Sequence, residues 1–219
     1  MSDPKPNLSP APPAFESRDP NAPGFWDERF ERGFTPWDQA GVPSAFKAFV
    51  DRHAPMPVLI PGCGSAYEAW WLAEKGWTLR AIDFAAHAVE AARAQLGAHA
   101  SLVEQADFFT YTPPFEPGWI YERAFLCALP PSRRTDWLVR MAELLPAGGL
   151  LAGFFFIGEG LPKGTPTGSP KGPPFIIERA ELDALLSAHF ELLEDEPVAD
   201  SIPVFAGRER WLTLRRRGA

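Results

Sequence analysis

A glycine turn that follows a short apolar run, with a carboxylate closing the next apolar run, is chemistry suited to holding a nucleoside. Here the turn lies in Val58-Leu-Ile-Pro-Gly-Cys-Gly-Ser-Ala-Tyr-Glu68 and the acid closes Trp77-Thr-Leu-Arg-Ala-Ile-Asp83. Gly62 and Gly64 allow a tight turn and a close ligand approach that a Cβ would hinder. Asp83 follows the glycines by about twenty residues, the offset of a carboxylate that accepts hydrogen bonds from ribose hydroxyls. A dinucleotide fingerprint has a third glycine three residues after the second, beside the pyrophosphate, and that position is Tyr67. The spacing therefore disfavours nicotinamide and flavin dinucleotides and favours S-adenosylmethionine, which has the adenosine and ribose without the phosphates. An ordinary strand-turn-helix with a capping acid is the plain alternative.

Other residues admit two readings each. Trp26, Phe30 and Trp37 could close over a sulfonium, since an electron-rich ring face favours a cation, or could pack an N-terminal helix onto the core. Trp70 and Trp71 are assigned to helix packing. Arg123 could pair with its neighbour Glu122, or could attract an anionic substrate and favour a thiolate. Asp107 could cap its own turn or, placed after a third strand, lie beside an adenine. Cys63 and Cys127 would come close together if the first and fourth strands are neighbours, as a redox pair or, the commoner case, as inert buried thiols. His53, His87, His99 and His189 show no metal-ligand spacing and are read as solvated or capping. No Ser-His-Asp set or metal cluster is visible. That pattern suits a soft nucleophile such as a thiolate or halide, which brings its own lone pair, better than an oxygen of high pKa.

The elements needed to position these residues follow from periodicity and punctuation. Helices are expected over 25–32 and 43–52, with Pro43 in a first turn. A strand over 58–60 leads to a helix over 66–75, a strand over 77–82 and an alanine-rich helix over 85–96 closed by Gly97. Further strands are expected over 102–104, 119–127 and 150–157, with a helix from Pro131 to about residue 145. A helix over 178–188 and strands over 190–193 and 211–214, the last pair antiparallel, complete the chain. Alternation of this kind implies a parallel sheet with helices on both faces. The stretch 158–174, dense in Gly, Pro, Lys and Thr, reads as a mobile lid over the acceptor site.

With 219 residues, 46% of them apolar, the chain can bury a sizeable core. Residues 1–23 carry seven prolines and little to bury, so they read as an arm that is flexible or orders over a ligand. A single domain is expected over 24–219. The net charge of −7 and the dispersed basic residues argue against nucleic acid. No stretch reads as a signal peptide or a membrane span, and two cysteines are too few for a disulfide framework, so a soluble, cytoplasmic monomer acting on a small molecule is expected.

Six segments in order, Phe25-Trp-Asp-Glu-Arg-Phe30, Thr35-Pro-Trp-Asp38, Pro61-Gly-Cys-Gly64, Asp107-Phe-Phe109, Gly172-Pro-Pro-Phe175 and Asp200-Ser-Ile-Pro203, resemble the thiopurine S-methyltransferase superfamily. Thr-Pro-Trp-Asp, Pro-Gly-Cys-Gly and Asp-Ser-Ile-Pro look like its halide/thiol methyltransferase branch, and Gly-Pro-Pro-Phe like the thiopurine enzymes. The resemblance implies an α/β class I methyltransferase (Rossmann-like) fold, with a mostly parallel seven-stranded sheet. It further implies S-adenosylmethionine as cofactor, leaving as S-adenosylhomocysteine, and methyl transfer to a small sulfur nucleophile, with halide or thiocyanate as the alternative acceptor. By the same resemblance Trp26, Phe30 and Trp37 contact the cofactor, Gly62 and Gly64 form its turn, and Asp83 binds its ribose. Asp107 and Phe108 lie beside its adenine, and Arg123 stands at its site as the candidate catalytic residue. Phe30 where many members have tryptophan, and Pro-Gly-Cys-Gly in place of Pro-Leu-Cys-Gly, bear on the acceptor rather than on the cofactor. A protein that binds the cofactor without chemistry, as a sensor or scaffold, is the rival from another class.

Overall fold

The structure is a computed structural model and describes residues 14–158 and 173–218. Its centre is β1 (Val58–Pro61), buried at all four positions as its unbroken apolar run requires. It pairs in parallel with β2 (Leu79–Asp83) on one side and β4 (Trp119–Arg123) on the other. With β3 (Val103–Gln105), β5 (Leu150–Gly158), β7 (Phe190–Pro197) and β8 (Glu209–Arg216) the order is β3-β2-β1-β4-β5-β8-β7. Strand β8 runs antiparallel to both β5 and β7, as expected for the last pair. A two-residue strand not foreseen in the sequence, β6 (Ile177–Glu178), adds to the end of β5. The order reverses between β1 and β4, and the crevice outside the carboxyl ends of the strands at such a point is where this class of sheet binds ligands.

The pleat divides the core in two. Val58, Ile60, Leu79, Ala81, Trp119 and Tyr121 face α2 (Ser44–Asp51), α3 (Tyr67–Glu74) and α4 (Ala86–Leu96). Leu59, Ile82 and Ile120, their neighbours in the chain, face α5 (Arg134–Leu144) and α6 (Arg179–Ser187). The first layer is rich in rings: Phe49 lies 4.6 Å from Trp119, and Phe46 meets Tyr121 edge-on at 4.7 Å. The helix α1 (Pro23–Glu31) sits over the start of α4, where the Asp27 carboxylate accepts the His87 N–H at 2.9 Å. The described end of the proline-rich arm is tied to α1, with the Glu16 and Ser17 N–H groups donating to the Glu28 carboxylate.

Three expectations need correction. Strand β4 ends at Arg123 rather than running on to residue 127: Ala124 turns left-handed with φ +58, and the Glu122 carboxylate takes the Phe125 and Leu126 N–H groups, both at 2.9 Å. Those bonds draw the chain into a 3₁₀ turn, Leu126–Ala128. Pro131 opens a second such turn, Pro131–Arg133, with α5 beginning only at Arg134. Trp70 is 37% exposed and not packed as assigned, whereas Trp71 does pack, 5.9 Å from Phe46. The lid expected over 158–174 lies outside the described residues except for its ends, Gly158 in β5 and Pro173-Pro174.

Candidate active site

A cavity of about 640 Å³ opens outside the carboxyl ends of β1, β2 and β4, within the size range of small-molecule sites. Trp26, Phe30, Trp37, Gly62, Gly64, Asp83, Asp107 and Phe108, all singled out in the sequence, line it. A smaller cavity of about 250 Å³ adjoins it, sharing Trp37, Gly62, Gly64 and Ala124 and adding Glu68 and Arg123. Arg123 is thus placed behind the glycine turn and not on the wall of the larger space.

The turn has the conformation that its glycines permit. Gly62 has φ +58 and Gly64 φ +51, and a Cβ built on Gly62 would stand 2.6 Å from the Phe125 ring. The Asp83 carboxylate at the end of β2 braces the turn, accepting the Gly64 N–H at 3.1 Å and the Ala85 N–H at 3.0 Å. Burial pushes this carboxyl up to about 6, against the stabilising N–H groups of Ala85 and Gly64. Asp107 caps its own turn as the plain reading expected, accepting the Phe109 N–H at 2.9 Å, and still faces the cavity.

The three N-terminal aromatic residues meet one another at the cavity. Trp26 lies edge-on to Trp37 at 5.5 Å, Phe30 to Trp37 at 6.1 Å, and the Trp26 indole donates to the Pro20 carbonyl at 2.9 Å. The motif that follows Trp37 fastens it, since the Asp38 carboxylate accepts the Ser65 hydroxyl beside the glycine turn. The Asp200 motif acts at a distance: its carboxylate caps α2 by accepting the Ser44 N–H at 2.9 Å, and its Ile202 packs with Phe205, Cys127 and Trp37.

Arg123 does not pair with Glu122. Adjacent residues of β4 point to opposite faces, and the Arg123 partner is the buried Glu68 carboxylate on α3, which also accepts the Tyr121 hydroxyl at 3.1 Å. Burial opposes the charge, but the Glu68 carboxylate holds the guanidinium above its ordinary value. Cys63 and Cys127 are both free, one lining each cavity. Burial raises both thiols well above the ordinary value, with Asp83 adding to it at Cys63 and Glu122 at Cys127, so neither has the thiolate character of a redox sensor. Among the described residues no set of three or more His, Cys, Asp or Glu could hold a metal. The sequence reading missed Phe125, Arg29, Arg133 and Phe205 as cavity walls. Arg29 lay inside the Phe-Trp-Asp-Glu-Arg-Phe segment, a usable signal, whereas nothing local to Phe125 announces its contact with Gly62.

The wall chemistry fits S-adenosylmethionine: a turn too tight for a Cβ, a buried acid at the β2 end, and ring faces grouped beside them. A sequence profile described as Thiopurine S-methyltransferase (TPMT) matches residues 21–217. The chain is 30% identical over 154 residues to probable thiol methyltransferase 2 of Arabidopsis thaliana, spanning 67% of each chain. It is 27% identical over 203 residues to thiopurine S-methyltransferase of Pseudomonas fluorescens, spanning 80% of this chain and 88% of that one. Thiocyanate methyltransferase 1 of Brassica oleracea is 28% identical over 201 residues, with 86% and 84% covered. Among solved structures, a 1,6-didemethyltoxoflavin-N1-methyltransferase of Burkholderia thailandensis with bound S-adenosylhomocysteine has a TM-score of 0.73 at 17% identity, covering 96% of this chain and 95% of that one. A glycopeptide N-methyltransferase complexed with S-adenosylmethionine has a TM-score of 0.61 at 17% identity, with 81% and 96% covered. At such identities the structural likeness is one of fold.

Proposed function

We propose, since the chain belongs to the thiopurine S-methyltransferase family, that it methylates a small organic sulfur nucleophile, a thiol or a thiopurine-like heterocycle, in the larger cavity. That it is an S-adenosylmethionine-dependent S-methyltransferase follows from the family itself. The cofactor supplies, when bound, a sulfonium methyl whose S–C bond breaks as the acceptor's S–C bond forms, the thiol proton having gone to solvent.

The protein's task is alignment and exclusion of water. In this reading Asp83 accepts the ribose hydroxyls, Gly62 and Gly64 let the backbone approach, and Asp107 and Phe108 flank the adenine. Trp26, Phe30 and Trp37 present ring faces to positive charge. Arg123, its charge matched by Glu68, acts from the adjoining cavity by positioning the glycine turn. One observation carries the choice of acceptor. The larger cavity is walled by Phe109, Phe125, Leu129 and Phe205 beyond the turn, apolar surface that a flat organic ring can cover and a bare halide or thiocyanate cannot. In this reading the protein works as a monomer, with its working domain over 24–219, in the cytoplasm.

Methyl transfer from S-adenosylmethionine to thiophenol, 6-mercaptopurine, iodide and thiocyanate tests the reading. The organic thiols are expected to exceed both anions in kcat/KM by tenfold or more. Preference for iodide or thiocyanate would overturn the choice of acceptor.

A further inference from the structure

Arg29 forms no salt bridge among the described residues. It lines the larger cavity from α1, its guanidinium 3.3 Å from the Phe25 ring centroid and 4.2 Å from that of Phe15, and it donates to the Phe25 carbonyl. It has no carboxylate partner among the described residues. The neighbouring Glu28 is committed to Arg32 and to the backbone N–H groups of Glu16 and Ser17. The acids that share the cavity are committed too, Asp83 to Gly64 and Ala85 and Asp107 to Phe109. Burial pulls Arg29 below its ordinary pKa, and Arg18 adds to this while the nearby Glu28 carboxylate opposes it without pairing with the guanidinium. A second guanidinium lines the same cavity: Arg133 lies 3.9 Å from the Phe109 ring centroid, and its own partner, Asp136, is 56% exposed on the outer side of α5. Cations with spare donors in an aromatic cavity are one half of a charge-assisted hydrogen bond.

We propose that Arg29 and Arg133 select acceptors bearing an anionic group set apart from the reacting sulfur, such as a carboxylate on an aromatic or heteroaromatic thiol. This inference rests on the sulfur-acceptor reading above. A carboxylate is also present on the amino-acid end of the cofactor, so the test separates the two sources.

The experiment compares 4-mercaptobenzoate with thiophenol, at a pH where both thiols are ionised, in the native protein and in Arg29→Gln, Arg29→Lys and Arg133→Gln. Affinity for S-adenosylhomocysteine and a thermal melt are measured on each. The native ratio of kcat/KM, 4-mercaptobenzoate over thiophenol, is expected at roughly ten to a hundred, the worth of a hydrogen bond to a charged group. It should fall toward one in Arg29→Gln, recover in part in Arg29→Lys, and drop in Arg133→Gln, with S-adenosylhomocysteine affinity held within about twofold. If Arg29→Gln fails to fold, Arg133→Gln decides by the same ratio. A native ratio near one with thiophenol turned over would overturn this inference alone. So would a ratio that the glutamine variants leave unchanged, or a ratio that falls only in step with S-adenosylhomocysteine affinity, which would assign the anion to the cofactor. Native protein that turns over neither thiol would overturn the sulfur-acceptor reading and this inference together.

Discussion

Asp83 and Glu122 are both buried acids at strand ends, and burial raises both, to about 6 and about 7. Their consequences differ. Asp83 faces the cavity, and its ionised form is the hydrogen-bond acceptor, so affinity for S-adenosylhomocysteine should decline as pH falls through about 6. Asp83→Ala should weaken that affinity at least tenfold at pH 7.5 and make it insensitive to pH, with the melt retained; unchanged affinity in a calorimetric titration would remove Asp83 from the site. Glu122 instead shapes the turn after β4 from inside, 1% exposed. Its folded value lies above its unfolded one of about 4.5, so the folded state binds the extra proton between those values and stability falls as pH rises through that window. Raising pH from 5.5 to 7.5 should therefore cost on the order of 1–2 kcal/mol through this group. Glu122→Gln keeps the Oε1 acceptor for Phe125 and Leu126 and loses the titration. Its urea-denaturation midpoints at the two pH values should lie closer together than those of the native protein, and an equal gap would refute the assignment. Neither acid's burial could be read from its neighbours in sequence, although Asp83 was marked by its offset from the glycines.

At the scale of elements, the glycine-turn unit was legible because each signal is local. An apolar run, two glycines, a helix and an acid occupy 26 consecutive residues from Val58 to Asp83, and the structure forms them in that order. The strand after Trp119 was not legible to its end, because the stop comes from a side chain reaching forward, Glu122 to Phe125 and Leu126, and not from glycine or proline. The Asp200 motif was recognisable as a pattern but not as a helix cap, since its target Ser44 is 156 residues away. Asp200→Ala should cost about 1 kcal/mol, the usual worth of an N-cap. Equilibrium unfolding in urea reads the loss, and no change would show that water replaces the cap. Because the same loop carries Ile202 and Phe205 against Trp37, loosening it should also lower methyl transfer by more than the lost stability explains.

For the whole molecule, the larger cavity is assembled from α1, the turns after β1 and β2, the segment after β3 and the turn after β4, so a ligand bound there would tie together regions far apart in the chain. S-adenosylhomocysteine at a hundred times its dissociation constant should add about 2.7 kcal/mol to the folded state. For a domain of this size that is roughly 5–10 °C in Tm. NADH should give no shift, and a shift with NADH alone would reverse the assignment drawn from Tyr67. By itself the sequence determined the alternation of strands and helices, the strand-turn-helix-strand unit with its two glycines and its acid, and the set of aromatic residues near the N-terminus. These are encoded by periodicity and by the backbone freedom of single residues, which act over a few positions. Only the tertiary structure decided that Arg123 belongs to Glu68 and not to Glu122, that Phe125 closes on Gly62, and that β8 inserts between β5 and β7. Such pairings join residues separated by long loops, and what selects among them is the fit of side chains across the packed layers, which no short stretch of chain contains.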